Sequence, residues 1–319
     1  MRRLEEDKNF FNSIVEKSII QKNSILYKVS SYAGKGTMQS FKVMPGVEVI
    51  YNDISLHEPI RKTLNLNVDC VEITYCLKGQ VEVEFKNQKY AYLADGDVCL
   101  FGYKTEAVSC DFSLKPFTGI TVMIYLPDII ESLNGVLGTD EFKKHNFFKA
   151  VFFSDSCIIN HANQGIEHIF KELFVLPEQY KSYLMKIKVI ELLLYLMSDM
   201  DYKKSEAVYF SKSSVDKVKE ARRIIINNMD KHITVREISK MVDMNATDLE
   251  KGFKSVYGST IFAYSKLSKM KRAKELLSDK RLSVLEASLA CGYASGGKFA
   301  KVFKEAFGIT PTQYRKELK

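Results

Sequence analysis

The chain carries one helical pattern twice, over residues 234–260 and 283–310, and any fold it adopts has to accommodate both copies. The first copy reads T-x-x-E at Thr234 and Glu237, then Leu249, then F-K-x-x-Y-G-x-T at Phe253, Lys254, Tyr257, Gly258 and Thr260. The second reads S-x-x-E at Ser283 and Glu286, then Phe299, then F-K-x-x-F-G-x-T at Phe303, Lys304, Phe307, Gly308 and Thr310. The front halves lie 49 residues apart and the back halves 50, so the second copy has one extra residue at its turn.

Each copy has a local physical reading. Thr234 and Ser283 are helix N-caps, and the glutamate three residues on completes a capping box. The short helix ends near Val242 or Cys291, where Gly292 supplies a left-handed cap in the second copy. A second helix starts at Asn245 or Ser295 and stops at Gly258 or Gly308. Two short helices joined by a turn of a few residues make a helix-turn-helix unit.

The second helix of each unit has two faces. Leu249, Gly252, Phe253 and Val256 fall on one side, with Thr247, Lys251 and Lys254 opposite. In the later copy Phe299, Val302, Phe303 and Ala306 form the apolar side, with Gly297, Lys301 and Lys304 opposite. Lysines opposite a core also occur on any solvated face. The same layout in both copies argues for a shared purpose. Charge points the same way: residues 211–319 hold 23 Lys plus Arg against 12 Asp plus Glu, whereas residues 1–210 hold 24 against 27. A net +11 over the repeated region and −3 over the rest is the footprint of a nucleic-acid binder.

The run L-A-C-G-Y at residues 289–293, with F-A-K-V-F-K-E-A-F-G-I-T-P-T-Q-Y-R at residues 299–315, resembles the C-terminal DNA-binding domain of the AraC/XylS family of bacterial transcription regulators. With the first copy the likeness covers about a hundred residues. It implies two units, 234–258 and 283–308, joined by a linker helix over 261–277, with their second helices in successive major-groove segments of double-stranded DNA, ~34 Å apart. Carried over by position, base-facing sites fall on Thr247, Glu250 and Lys251 in the first unit and on Gly296, Gly297, Lys298 and Lys301 in the second. Phosphate contacts fall on Lys254, Lys304, Ser295, Thr310 and the amides at the helix starts. Glycines have no side chain with which to read a base edge, and neither recognition helix carries arginine. The second unit is therefore expected to supply affinity and register, with sequence read by the first unit and by DNA shape. Lysine outnumbers arginine throughout the chain, so genome composition is the other source of the missing arginine. The resemblance also implies an activator, a homodimer, contact with RNA polymerase and a small-molecule effector of unknown identity.

Upstream the texture differs, and the expected fold class is α+β: a cupin-like β-barrel with helices, then an all-α domain. Residues 1–29 read as helix, from the loose stripe of Phe10, Phe11, Ile14, Val15, Ile19 and Ile20. Short β-like runs follow at 47–54, 71–77, 81–85, 90–93, 98–101 and 120–126, with hairpin turns expected at Lys78-Gly79 and Asp95-Gly96-Asp97. The pattern I-T-Y-C-L-K-G at 73–79 with A-D-G-D-V at 94–98 is similar to the cupin-like sensor domains that precede many AraC-type domains. Catalytic cupins present an H-x-H pair to a metal; His57 has no such partner, so a metal-dependent enzyme ranks last and no cofactor is expected. A small barrel has room for one ligand, and the candidate lining groups are Tyr51, Glu72, Thr74, Glu82, Tyr90 and Tyr92. Control by a protein partner is the alternative to a small ligand, and each of these side chains has solvent exposure as its ordinary reading.

A greasy helix is expected from Pro177 to Met200, with Tyr180, Leu184, Ile187, Ile190 or Glu191, Leu194 and Met197 at helical spacing and additional apolar positions at Leu192, Leu193 and Leu196. It has to bury more than one stripe, packing on the barrel and serving partly as a dimer seam. The expected organisation is 1–126 for the N-terminal helix and sensor domain, 127–200 for a helical support region, 201–213 for a linker and 214–319 for the DNA-binding domain. Ser213 or Ser214 is expected to cap the helix over 215–228, and the linker helix to turn Tyr264, Leu267, Met270, Ala273 and Leu277 inward. The six cysteines include no C-x-x-C pair and read as buried thiols. No apolar run approaches ~20 residues and no secretory signal opens the chain, so the expected location is the cytoplasm, with no membrane span.

Overall fold

The computed structural model describes residues 14–21, 23–61, 70–102, 107–126, 128–139, 157–198, 209–279 and 281–317. The chain divides into two compact units, residues 1–210 and 211–319.

The first unit is built on antiparallel strands: β1 (Val15–Ile20), β2 (Ser24–Val29), β3 (Gly34–Met44), β4 (Val47–Leu56), β5 (Ile60–Arg61), β6 (Cys70–Phe85), β7 (Lys89–Ala94), β8 (Asp97–Gly102), β9 (Ala107–Tyr125) and β10 (Ile158–His161). They pair in the order β1-β2-β3-β4-β9-β6-β7, with β8 also on β6, β10 on β8 and β5 on β9. Three helices accompany them: α1 (Asp128–Leu137), α2 (Gln164–Phe174) and α3 (Lys181–Ser198).

Strand alternation sorts the side chains into two cores. Val47 and Val49 of β4, Val71, Ile73 and Tyr75 of β6, and Ile120, Val122 and Ile124 of β9 pack against the helices. The intervening Ile50 and Asn52, Glu72 and Thr74, and Thr121 and Met123 face an interior cavity around which the sheet curls. Phe170 of α2 stacks on Tyr75 at 4.9 Å, a buried ring that stabilises by about 1.5–3 kcal/mol.

Several expectations are corrected here. Residues 15–29 form β1 and β2 rather than helix, because β-branched Val15, Ile19, Ile20 and Ile25 suit a strand and β3 supplies the pairing partner. Residues 1–13 of that expected helix lie outside the described residues. Lys78 and Gly79 make no hairpin, since β6 runs unbroken through them. Gly79 has φ +108°, and a Cβ on it would lie 2.0 Å from the Pro116 carbonyl oxygen. The pairing of β6 with β9 is irregular between Cys76 and Glu82, which marks a bulged bend and reverses the alternation. Glu72 and Thr74 therefore face the cavity before the bend, but Val81 and Val83 face it afterwards. Asp95-Gly96 is a corner rather than a hairpin: β7 and β8 pair with successive halves of β6. The Gly79 amide donates to Asp95 Oδ1 at 2.6 Å and the Gly96 amide to the Cys76 carbonyl at 2.8 Å, so both bends are tied together.

Of the spaced positions on α3 Met197 is buried and Leu184 and Ile190 are half-buried, and the additional apolar positions carry most of the buried face. Tyr180, just ahead of the helix, and Ile187 and Leu194 within it are exposed, whereas Met185, Val189, Leu192, Leu193 and Leu196 are buried. Apolar residues surround that helix, so periodicity alone picks no face. The region expected to be helical also contains the strand β10.

The second unit is helical: α4 (Lys212–Asn227), α5 (Val235–Met241), α6 (Ala246–Tyr257), α7 (Ile261–Ser278), α8 (Val284–Ala290), α9 (Gly296–Phe307) and α10 (Pro311–Glu317). Ser211, not Ser213 or Ser214, caps α4, its hydroxyl accepting from the Ser214 amide at 3.1 Å. Residues 199–208, with most of the expected linker, lie outside the described residues. All six cysteines carry free thiols, five of them buried. No helix of the described residues is long and apolar enough to cross a membrane.

Candidate nucleic-acid interface

Reciprocal capping boxes start α5 and α8. The Thr234 amide donates to Glu237 Oε2 at 2.8 Å while its hydroxyl accepts from the Glu237 amide at 3.3 Å. Ser283 and Glu286 repeat the exchange at 2.6 and 3.1 Å. The backbone amides hold both glutamate carboxyls below their ordinary range. Asn245 caps α6 by accepting from the Asp248 amide at 2.8 Å, and Ser295 caps α9 by accepting from the Lys298 amide at 3.4 Å.

The faces of α6 and α9 follow from these starts. Helix α6 buries Leu249, Gly252, Phe253, Val256 and Tyr257, leaving Thr247, Glu250, Lys251 and Lys254 exposed. Helix α9 buries Phe299 and Phe303 and exposes Ser295, Gly296, Gly297, Lys298, Lys301 and Lys304. Ala306, expected inside, is exposed, because Phe307 and the aromatic side chains around Phe303 fill the end of the second core. Thr310 is half-buried and caps α10, its hydroxyl accepting from the Gln313 amide at 3.2 Å. A Cβ at Gly296 would meet nothing within 4 Å, and one at Gly297 only Ser295 Oγ at 3.9 Å, so packing requires neither glycine.

Helix α7 packs into the core of the second helix-turn-helix. Met270, Ala273 and Leu277 join Phe299 and Phe303, whereas Leu267, expected inward, is exposed. Lys269 donates to the Lys231 carbonyl at 2.9 Å and lies 6.0 Å from the Tyr293 ring centre; burial lowers its ammonium below the ordinary range. Gly292 sits so close to the Asp230 carbonyl that a Cβ would come within 2.8 Å of it. Lys266 pairs with Glu305 of α9 at 2.8 Å. Each unit also has an aromatic clasp: Arg222 donates to the Tyr264 hydroxyl at 2.6 Å and lies over Tyr257, and Lys274 lies over Phe307 and Tyr314. The sequence reading turned Tyr264 inward but missed its correspondence with Tyr314: both stand four residues after the repeated threonine, so the repeat extends further than its Gly-x-Thr end.

In the first unit the cavity has a volume of about 160 Å³, and Glu72 and Thr74 line it. Tyr51, Glu82, Tyr90 and Tyr92 are not among its lining residues. Tyr51 faces the helices, where its hydroxyl donates to the Leu173 carbonyl at 2.6 Å. Beyond the β6 bend the reversed alternation turns Glu82 and Glu84 away from the cavity, where they accept from the Tyr92 and Tyr90 hydroxyls at 2.6 and 2.7 Å. Among the described residues no group of three His, Cys, Asp or Glu side chains is placed to hold a metal ion.

Comparison with known proteins places the repeated region. A family described as a helix-turn-helix domain matches residues 238–317. The xylose operon regulatory protein of Escherichia coli K12 is 39% identical over 96 residues, 30% of this chain and 24% of that protein. The Msm operon regulatory protein of Streptococcus mutans is 31% identical over 101 residues, 32% of this chain and 36% of that protein. The second unit carries an AraC-type helix-turn-helix domain. In this AraC-type domain the matched residues run from within α5 to the end of α10, and the capping residue Thr234 lies just ahead of them. The chain spans about a quarter to a third of the length of these curated relatives. A solved transcriptional regulator of Chromobacterium violaceum described as AraC-type is 28% identical, covering 33% of this chain and 94% of that one with a TM-score of 0.31.

Proposed function

We propose that the chain is a sequence-specific regulator of transcription that acts in the cytoplasm and places α6 and α9 in successive major-groove segments of double-stranded DNA. The observation that carries this reading is the duplicated layout: two capped helices, each turning a lysine pair outward, Lys251 with Lys254 and Lys301 with Lys304, joined through α7. Lysines that neutralise phosphates release counterions, so such a surface binds with strong salt dependence. Regulatory proteins of two operons share this region, which supports the same role here. The finer reading is an activator that works as a homodimer, contacts RNA polymerase and answers to a small molecule held in the cavity of a cupin-like first unit.

The test is binding of the full-length protein to its mapped genomic sites over a salt series, beside Lys254→Ala and Lys304→Ala. A shared motif spanning two major-groove segments is expected, and each substitution is expected to reduce the slope of log affinity on log salt by about 1. Diffuse binding without a motif would refute the reading. Base substitutions under α9 are expected to matter less than those under α6, because Gly296 and Gly297 present no side-chain donor or acceptor to a base edge.

A further inference from the structure

The cavity of the first unit is apolar over most of its wall, through residues such as Ile50, Ile54, Val81, Val83, Phe101 and Met123. Its polar lining is uneven in sign. Among the described lining residues Glu48 and Glu72 carry carboxyls, and none is Lys, Arg or His.

Hydrogen-bond directions sharpen this bias. Thr74 has one hydroxyl hydrogen, and it goes to Glu72 Oε1 at 2.7 Å. The Thr74 and Thr121 oxygens are 2.9 Å apart, so Thr121 is the donor of that pair. Asn52 Nδ2 in turn donates to Thr121 at 3.1 Å. Across the cavity the Tyr125 hydroxyl donates to Glu48 Oε2 at 3.3 Å. Both chains of donors end on a carboxyl, so the wall around Glu72 and Glu48 presents acceptors and favours a donor from its occupant, beside the Ser40 and Tyr27 hydroxyls that also line the cavity. Glu72 is half-buried and lines the cavity. Burial raises its carboxyl above the ordinary range, and an ionised carboxylate there is unfavourable until a cation pairs with it.

We propose that this cavity binds a small primary amine, its ammonium on Glu72 and its apolar body, of about one ring, against the β4, β6 and β9 side chains. The proposal rests on the reading of the first unit as a sensor. Size sets the body: an apolar cavity of about 150 Å³ holds benzene, and this one measures about 160 Å³. An anionic occupant would face two carboxyls with no cation among the described lining residues. A polyol would leave hydroxyls unpaired against apolar wall.

The experiment is isothermal titration of the full-length protein with 2-phenylethylamine, 2-phenylethanol and 3-phenylpropionate, which share a ring and differ in head group, repeated on Glu72→Gln. DNA affinity is measured with and without each compound. The amine is expected to bind more tightly than the alcohol and the carboxylate not at all. Glu72→Gln is expected to weaken the amine at least tenfold while leaving the alcohol within threefold, which also shows that the cavity is intact. Carboxylate binding equal to that of the amine, amine binding unchanged in Glu72→Gln, or no binding by any of the three would overturn the proposal. Amine binding through Glu72 with no change in DNA affinity would uphold the site and overturn the sensor reading instead.

Discussion

Glu72 stands where burial and function pull against each other. Burial raises its carboxyl, and the Thr74 hydroxyl offsets only part of that rise. In the unfolded chain a glutamate releases its proton near pH ~4.3; in the folded protein Glu72 keeps its proton to higher pH. Between those two values the native state binds more protons, so this group makes stability fall as pH rises, by at most about 1.4 kcal/mol per pH unit. Below the unfolded value both states are protonated and the effect is absent. Glutamine cannot ionise, so Glu72→Gln should remove this decline and be the more stable protein above the native value. Urea unfolding read by the sheet's circular dichroism at several pH values measures it; parallel curves for parent and variant would show that Glu72 titrates normally. The strand alternation of residues 71–77 made Glu72 and Thr74 legible as lining candidates. Glu82 and Tyr92 were misread because the reversal at Gly79 depends on pairing with β9, far away in the sequence.

Among the elements, those defined by local chemistry were the legible ones. Capping boxes at Thr234 and Ser283 and terminal glycines at 258 and 308 fix α5, α6, α8 and α9 within a few residues of themselves. The course of β6 and the buried face of α3 depend on partners that no local pattern names. Gly292 belongs to both kinds. Its φ of +74° follows from ending α8, whereas its approach to Asp230 follows from how the two helix-turn-helix units pack. Gly308 has φ +80° but nothing within 4 Å of an added Cβ. Gly308→Ala should therefore cost only the left-handed penalty, about 1–2 kcal/mol. Gly292→Ala should cost more, by roughly 1–3 kcal/mol, because the Asp230 backbone has to move. Urea midpoints of the helical transition measure the difference; equal losses would mean that the contact with Asp230 does not constrain the spacing of the two units.

At the scale of the whole molecule, α3 leaves an apolar stripe uncovered. Tyr183, Ile187 and Leu194 are 71%, 57% and 41% exposed, with half-buried Ile190 between the last two, at the three-and-four spacing of a helix–helix seam. If this stripe joins two copies in the proposed homodimer, apolar burial has to overcome the repulsion of two chains that each carry a net charge of +8. Salt screens that repulsion. Dimerisation should therefore tighten as salt rises from about 50 to 200 mM, the range over which DNA binding through phosphate contacts weakens. Opposite salt responses would separate the two interfaces within one preparation. Ile187→Glu places a charge in the middle of the seam and should yield a monomer by sedimentation velocity at micromolar concentration, with amine binding in the cavity unchanged. Losing the second copy should also weaken binding to DNA carrying two sites by about 10²–10⁴-fold, with little change on DNA carrying one. A dimer that persists in Ile187→Glu, or one that weakens with salt in step with DNA binding, would move the interface away from α3 and onto a charged surface.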